Sequence, residues 1–350
     1  MINYSIEVHV PLRNEVSSLA ALIDSFERQT FKDFIVVLHD NASDDGSTQL
    51  LQKLINGNPK YKHVLYRHRR HVWSQGTRIS GYPFEADFVS IRSANDLILP
   101  DYYGEIFEIL NADLSVALAY SHGFEVAEGS NVGTLNRSHE ISTFGLDRIN
   151  AIRHVVSTYT SPFSLWGTYR VSALEKLNPF IHCYGADHVR IAQISLLGGI
   201  RPTKAPLDMR INRRAKVSDE EERANLSPVW VTHHPELLAG MKFDSSFVAP
   251  DVYAPFCSML IGHLEMLRTE CIDDVELEAF SQIVFEELSR RFGYFMKNEL
   301  FTLKNHGNLK LNNRFKETGV PATSCAASVI QASRLETLLA IGRLLNTEWQ

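Results

Sequence analysis

The chain opens with an alternation. Ile6, Val8 and Val10 are apolar and Glu7 and His9 polar, the period-two pattern of a strand, with Pro11 as its expected end. Leu19, Leu22, Ile23 and Phe26 then recur at steps of three and four, which predicts a helix with Ser17 or Ser18 as its cap. Phe34 to Leu38 is a continuous apolar run, as in a strand covered on both faces. The polar stretch from Asp40 to Ser47 predicts a turn, and Leu50, Leu51, Leu54 and Ile55 a second helix. His63–Tyr66, Phe88–Ile91 and Val116–Tyr120 read as strands and Tyr102–Leu110 as a helix. Strands alternating with helices predict an α/β domain with a parallel sheet covered by helices. Ligands bind such sheets at the carboxyl ends of the strands. Leu12-Arg13-Asn14-Glu15, Asp40 to Ser47 and Ser93-Ala94-Asn95-Asp96 follow three of these strands, so they are expected to meet on one edge.

Beyond Ser121 the pattern is less regular. It predicts loops to Gly145, a strand over Ser164–Arg170, a helix over Asp187–Leu197 and a last strand over Leu207–Ile211. Asp219-Glu220-Glu221-Glu222-Arg223 is a charge run, read as a solvated linker or helix start. Helices are expected from Ser218 onward. Leu277, Phe280, Val284, Leu288, Phe292 and Phe295 form one amphipathic stripe, and Ala326–Leu345 another, with Leu335, Leu338 and Leu345 on one side. Such stripes read first as core, and second as a homodimer contact through the C-terminal helices or a contact with a membrane surface. At 350 residues the chain exceeds one ordinary core. Two domains follow: residues 1–217, the α/β domain, and residues 218–350, a helical C-terminal extension.

Composition narrows the function. A formal net charge of -6 excludes a chain that binds nucleic acid as a whole. The four cysteines, Cys183, Cys257, Cys271 and Cys325, lie far apart without a CxxC pair, so neither a zinc site nor a disulfide framework is indicated, and Cys183 beside His182 is incidental. The first residues lack a basic segment followed by an apolar run, and no apolar stretch spans a bilayer, so a cytoplasmic enzyme is expected, peripheral at most to the inner membrane face. The sequons Asn41-Ala42-Ser43 and Asn136-Arg137-Ser138 are chance matches in that setting. Neither a GxGxxG turn nor a GxxxxGK[ST] loop is present, so side chains rather than a glycine loop must hold the ligand.

Three segments carry a resemblance. Val8-His9-Val10-Pro11-Leu12-Arg13-Asn14-Glu15 is followed by Ser25-Phe26-Glu27-Arg28-Gln29-Thr30-Phe31-Lys32-Asp33-Phe34, and then by Leu38-His39-Asp40-Asn41-Ala42-Ser43-Asp44-Asp45-Gly46-Ser47. In order, spacing and residue type this resembles the opening of family 2 glycosyltransferases, with their Pro-x-x-Asn strand end, Ser-x-x-x-Gln-x-x-x-Asp helix end and Asp-rich turn. Ser90-Ile91-Arg92-Ser93-Ala94-Asn95-Asp96 with Pro100 resembles the family's metal segment, ordinarily Asp-x-Asp-Asp followed by proline. Phe163–Leu174 and Tyr184-Gly185-Ala186-Asp187-His188 with Gly198-Gly199 resemble its acceptor-side stretch. Past the α/β domain the resemblance ends.

The resemblance implies a GT-A nucleotide-sugar-binding fold and an enzyme that moves a sugar from a nucleotide donor to an acceptor hydroxyl with inversion. A UDP-sugar is the expected donor, and a sugar-containing or lipid-linked molecule the acceptor, in bacterial polysaccharide or glycoconjugate synthesis. Pro11, Arg13, Asn14, Asp40, Arg78, Ser93 and Asn95 are expected to bind the nucleotide-sugar. Asp40 would take the base imino hydrogen or a ribose hydroxyl, though an Asp beside Asn41 also makes a turn by itself. Asp45 and Ser47 also make a turn and helix cap unaided. Ser93 and Asn95 replace the usual aspartates, so a divalent cation (Mg or Mn) is expected to bind weakly, at Asp96 with Asn95 as a second ligand. Arg78 and the run Arg67-His68-Arg69-Arg70-His71 would neutralise phosphates, although a solvated surface explains that run too. His233-His234 would be a later metal ligand or a plain structural pair. Asp187 is the expected base, with helix capping as its other reading and His188 as the other base. Two rival functions remain. One is a non-catalytic nucleotide-sugar-binding or scaffolding domain with a degenerate metal site. The other is a sugar nucleotidyltransferase, disfavoured because Pro11–Glu15 lacks a glycine-rich phosphate loop.

Overall fold

A computed structural model describes residues 4–57, 62–67, 84–127, 133–136, 140–159, 162–177, 183, 185–212 and 255–305. Arg78, residues 68–71, residues 219–223, His233-His234 and residues 326–345 lie outside the described residues. The chain divides into two compact units, one drawn from Met1–Phe180 and Arg190–Ala215, the other from Ile181–Val189 and Lys216–Gln350.

The first unit holds a seven-stranded sheet. Its strands are β1 (Ile6–Leu12), β2 (Phe34–Asp40), β3 (Lys62–Arg67), β4 (Phe88–Ile91), β6 (Val116–Tyr120), β9 (Thr168–Arg170) and β10 (Gly199–Pro202), in the order β10-β6-β9-β4-β1-β2-β3. β9 is antiparallel to both its neighbours, and the other pairings are parallel. The sheet is therefore mixed and mostly parallel. A smaller sheet, ordered β5-β11-β7-β8, joins β5 (Leu97–Ile98), β7 (Gly123–Ala127), β8 (Gly133–Asn136) and β11 (Asp208–Asn212).

One face of β1 and β2, with Ile6, Val8, Val10, Phe34, Val36 and Leu38, packs in the main core. Leu19, Leu22 and Phe26 of α1 (Leu19–Glu27) and Tyr102, Tyr103, Ile106 and Leu110 of α3 (Tyr102–Ala112) join them there. The alternation in β1 was legible, but its polar half does not face solvent. Glu7 is 5% exposed and His9 wholly buried. Glu7 accepts from the Glu85 and Ala86 N–H groups and pairs with His9, whose ring stacks on His39 at 5.2 Å.

Pro11 does not end the strand. β1 pairs with β4 only as far as His9, and from Val10 onward it has β2 alone beside it. A residue without an N–H fits such a half-edge. The motif residue Gln29 builds the fold: its amide donates to the Ser25 and Leu99 carbonyls and accepts from the Tyr103 N–H, tying the end of α1 to the start of α3.

The middle section holds more structure than its pattern predicted. The stretch expected as loops contains the β7–β8 hairpin. A helix, α4 (Arg148–Thr158), follows, capped by Asp147, which accepts from the Asn150 N–H at 2.8 Å. Only Thr168–Arg170 of the predicted 164–170 strand is extended; Pro162–Ser164 is a 3-10 turn. A short α5 (Val171–Leu174) and α6 (Ala186–Leu197) complete this region, and α2 (Ser47–Asn56) follows the Asp-rich turn.

Within the second unit, α7 (Pro255–Glu270) and α8 (Asp274–Asn305) form an antiparallel hairpin. Phe280, Val284 and Leu288 of the predicted stripe are buried, but further along Met296 is buried while Phe295 is 50% exposed. The straight helix drifts off a strict repeat over that length. Glu299 accepts from the Phe256 and Cys257 N–H groups and so caps the start of α7. Among the described residues no helix is long and apolar enough to cross a membrane.

Candidate functional site

Parallel pairing sets Leu12 beside Asp40 and His9 beside Ile91, so the chain leaves β1, β2 and β4 on the same edge of the sheet. The loops after β1 and β2 are stapled together there. The Asn41 N–H donates to the Leu12 carbonyl at 2.9 Å. Asn14 donates its N–H to Ser43 Oγ at 3.1 Å and accepts from the Asp44 N–H at 3.0 Å. Glu15 donates to Ser47 Oγ and Val16 to Asp45 Oδ2. Asn14 and Ala42 both have positive φ, 57° and 58°. Such strain in non-glycine residues persists where the surroundings over-determine it, commonly at binding sites.

Asp40 is wholly buried in this double loop. Its Oδ1 accepts from the Ser43 N–H at 3.1 Å and its Oδ2 from the Thr48 hydroxyl at the start of α2. The turn-forming role weighed from the sequence is thus present, and it also fixes the direction of the carboxylate. Arg13 is exposed beside it, and Pro11 lies in β1 itself.

The third segment differs from a metal-binding loop. The Ser93 hydroxyl donates to the Asn95 carbonyl oxygen. Asp96 is 5% exposed and accepts from the Ile211 N–H of β11. Burial and the neighbouring Asp208 carboxylate push the Asp96 carboxyl up to about 6, against the pull of Arg92, Arg210 and that N–H. Its partners are therefore protein groups. No group of three or more His, Cys, Asp or Glu is placed to hold a metal ion among the described residues. Mg and Mn sites of this kind use one or two carboxylates beside substrate phosphates, and here the one carboxylate is buried and held by a backbone N–H, so the segment suits such an ion poorly.

Sequence reasoning missed what lies beneath this loop. Arg92, 1% exposed, donates to Asp208 from both Nη1 and Nη2, and Nη1 also donates to the Trp166 carbonyl. The available signal was a lone arginine at the end of an apolar strand, directly before the metal-like segment.

Asp187 belongs to the second unit, in the first turn of α6. The Gly185 carbonyl accepts from the Val189 N–H, so Gly185 holds the capping position and Asp187 is the second residue of the helix. An acidic side chain there gains from the helix dipole. His188, the other base considered, is buried, and desolvation with nearby His263 and Arg291 holds it well below the usual imidazole range.

Residues 7–81 match the family described as Glycosyl transferase family 2. Among solved structures, S. aureus TarS 1-349 in complex with UDP-GlcNAc is similar, with a TM-score of 0.53 and 16% identity over 97% of this chain and 90% of that one. The mannosyltransferase PcManGT from Pyrobaculum calidifontis, in complex with GDP-Man and Mn2+, gives a TM-score of 0.47 at 15% identity, over 97% and 86% of the two chains. Against the longer S. aureus TarS the TM-score is 0.47 at 13% identity over 81% of this chain, which spans 54% of that protein's length. The comparison with curated proteins gives no match. The matched segment begins in β1 and contains both stapled loops. The mixed, mostly parallel sheet is that of the GT-A glycosyltransferases, the fold that the likeness to S. aureus TarS 1-349 shows.

Proposed function

We propose that the chain transfers a sugar from a nucleotide donor, a UDP-sugar by preference, to an acceptor hydroxyl with inversion at the anomeric carbon. The observation that carries this reading is the stapled pair of loops at the carboxyl ends of β1 and β2, enclosing Asp40 within the family-matched segment. Side chains and loop amides there replace the glycine-rich loop that the sequence lacks. Pro11, Arg13, Asn14, Asp40, Ser93 and Asn95 would line the donor site from the described edge, and Arg78, which lies outside the described residues, is proposed to neutralise diphosphate charge. S. aureus TarS was solved with UDP-GlcNAc, which supports a UDP-sugar as the first donor to test.

In the proposed reaction the Asp187 carboxylate takes the acceptor hydroxyl proton. The oxygen attacks the anomeric carbon from the face opposite the nucleotide. A new C–O bond forms, the old one breaks, and the nucleoside diphosphate leaves with the electron pair. A positioned base supplies roughly 10²–10⁴ in rate. Ser93 and Asn95 bring no charge and the Asp96 carboxylate accepts from the Ile211 N–H, so the proposed steps fall to the side chains. A sugar-containing or lipid-linked acceptor in bacterial polysaccharide or glycoconjugate synthesis completes the proposal.

Calorimetry against UDP, GDP, TDP and CMP sugars, followed by a transfer assay with the donor that binds, tests the reading. Absence of binding by all four classes defeats it. A second reading, a non-catalytic nucleotide-sugar-binding domain, draws on the buried Asp96 and the replaced aspartates. It requires donor binding with neither hydrolysis nor transfer.

A further inference from the structure

The start of α6 is held against α7 at three points within the second unit. Cys183 lies over Gly262, where an added Cβ would come within 2.5 Å of the cysteine sulfur. Gly185, with a φ of +68°, has Met259 Sδ 2.7 Å from the place its own Cβ would occupy. At both positions the missing Cβ leaves room for a sulfur-bearing side chain of the facing segment, and the positive φ of Gly185 suits glycine besides.

The third point is a chain of hydrogen bonds. Arg291 of α8 has only donors to offer, so its contact at 3.2 Å makes His188 Nε2 an acceptor. The His188 proton therefore lies on Nδ1 and is donated to His263 Nε2 at 2.8 Å. His263 in turn carries its proton on Nδ1, which is buried without a hydrogen-bond partner among the described residues. The two rings meet edge to face, 4.9 Å apart at 88°. Desolvation and the Arg291 charge keep both uncharged, His263 down to about 3.

An unpartnered N–H and a half-buried cation make this a costly core, where two leucines would pack with less penalty. The arrangement does fix direction. Successive helical residues point about 100° apart, so a His188 ring locked inward sets where Asp187 points. We propose that the Arg291–His188–His263 chain is a positioning device that aims Asp187 at the acceptor hydroxyl. This rests on the reading of Asp187 as the base.

The test compares His263→Gln and His263→Leu in the full chain. Glutamine keeps an acceptor for His188 Nδ1 and leucine does not. His263→Leu should keep its Tm or raise it and leave the donor KM within about twofold, while kcat falls about tenfold or more, as misplacement of a reacting group does. His263→Gln should recover most of that loss, whereas mere packing would favour leucine. Wild-type kcat in His263→Leu overturns the proposal. If His263→Leu does not fold, Arg291→Met is read in the same way: a kcat loss at constant donor KM supports the chain, and unchanged kcat refutes it. Asp187→Asn is measured alongside. If it stays active, the base reading fails and the positioning role with it. If it is inactive while the His263 variants are fully active, only the positioning role fails.

Discussion

Arg92, which follows β4, and Asp208, the first residue of β11, face each other as a bidentate pair at 2.7 and 2.9 Å, with side chains 1% and 3% exposed. The pair ties the central sheet to the smaller one directly under Ser93–Asp96. Removing one partner of such a pair strands a buried charge and costs about 3–5 kcal/mol. Asp208→Asn should therefore lose stability on that scale in urea denaturation. Arg92→Met with Asp208→Leu should recover much of it. A single-variant loss below about 1 kcal/mol, the range of exposed pairs, would show that the pair is not sealed from water.

Asp40 can be separated into its two roles. Asp40→Asn keeps an acceptor for the Ser43 N–H, while Thr48→Val removes only the hydroxyl that reaches the other oxygen. Both variants should cost about 1–2 kcal/mol of stability as hydrogen bonds are lost. Only Asp40→Asn should abolish UDP-sugar binding in calorimetry. Equal affinities in the two variants would leave Asp40 as a turn residue.

Acid should loosen the second unit through its histidines. His263 has its pKa depressed from 6.5 to about 3 by burial and Arg291. The unfolded chain takes up a proton below pH 6.5 and the folded chain does not, so stability falls as pH drops from 6.5 and levels off near 3. One unit of that window is worth about 1.4 kcal/mol. His263→Leu should flatten the fall of Tm between pH 6.5 and 4. An unchanged slope would mean that other groups set it.

Divalent cations should matter little. Ser93 and Asn95 carry no charge, and Asp96 is turned toward the Ile211 N–H. Transfer measured in chelator should fall only modestly below that in manganese, and Asp96→Asn should remove what dependence there is. Complete loss in chelator together with a cation-responsive Asp96→Asn variant would place the metal elsewhere.

The sequence by itself determined the layout of the N-terminal half. The period-two run of β1, the apolar run of β2 and the helical spacing of α1 are local signals of side-chain burial, which repeat wherever the same face meets a core. The order of these elements, the stapled loop residues and Gln29 were all legible, because their spacing is itself the requirement. The helix α4 left a readable trace in Asp147 followed by Ile152, Val155 and Val156, whereas β7 and β8 are too short for a period to register. Tertiary structure alone decided what lies far apart in sequence. That Glu7 and His9 are buried depends on what covers the second face of the sheet. Arg92 finds Asp208 and His188 finds His263 only once the chain has folded, since a buried charge or an imidazole tautomer is set by its partner rather than by its neighbours in the chain. The direction of Asp96 follows the same rule: the residue type predicted a ligand, and the fold gave its carboxylate to the Ile211 N–H.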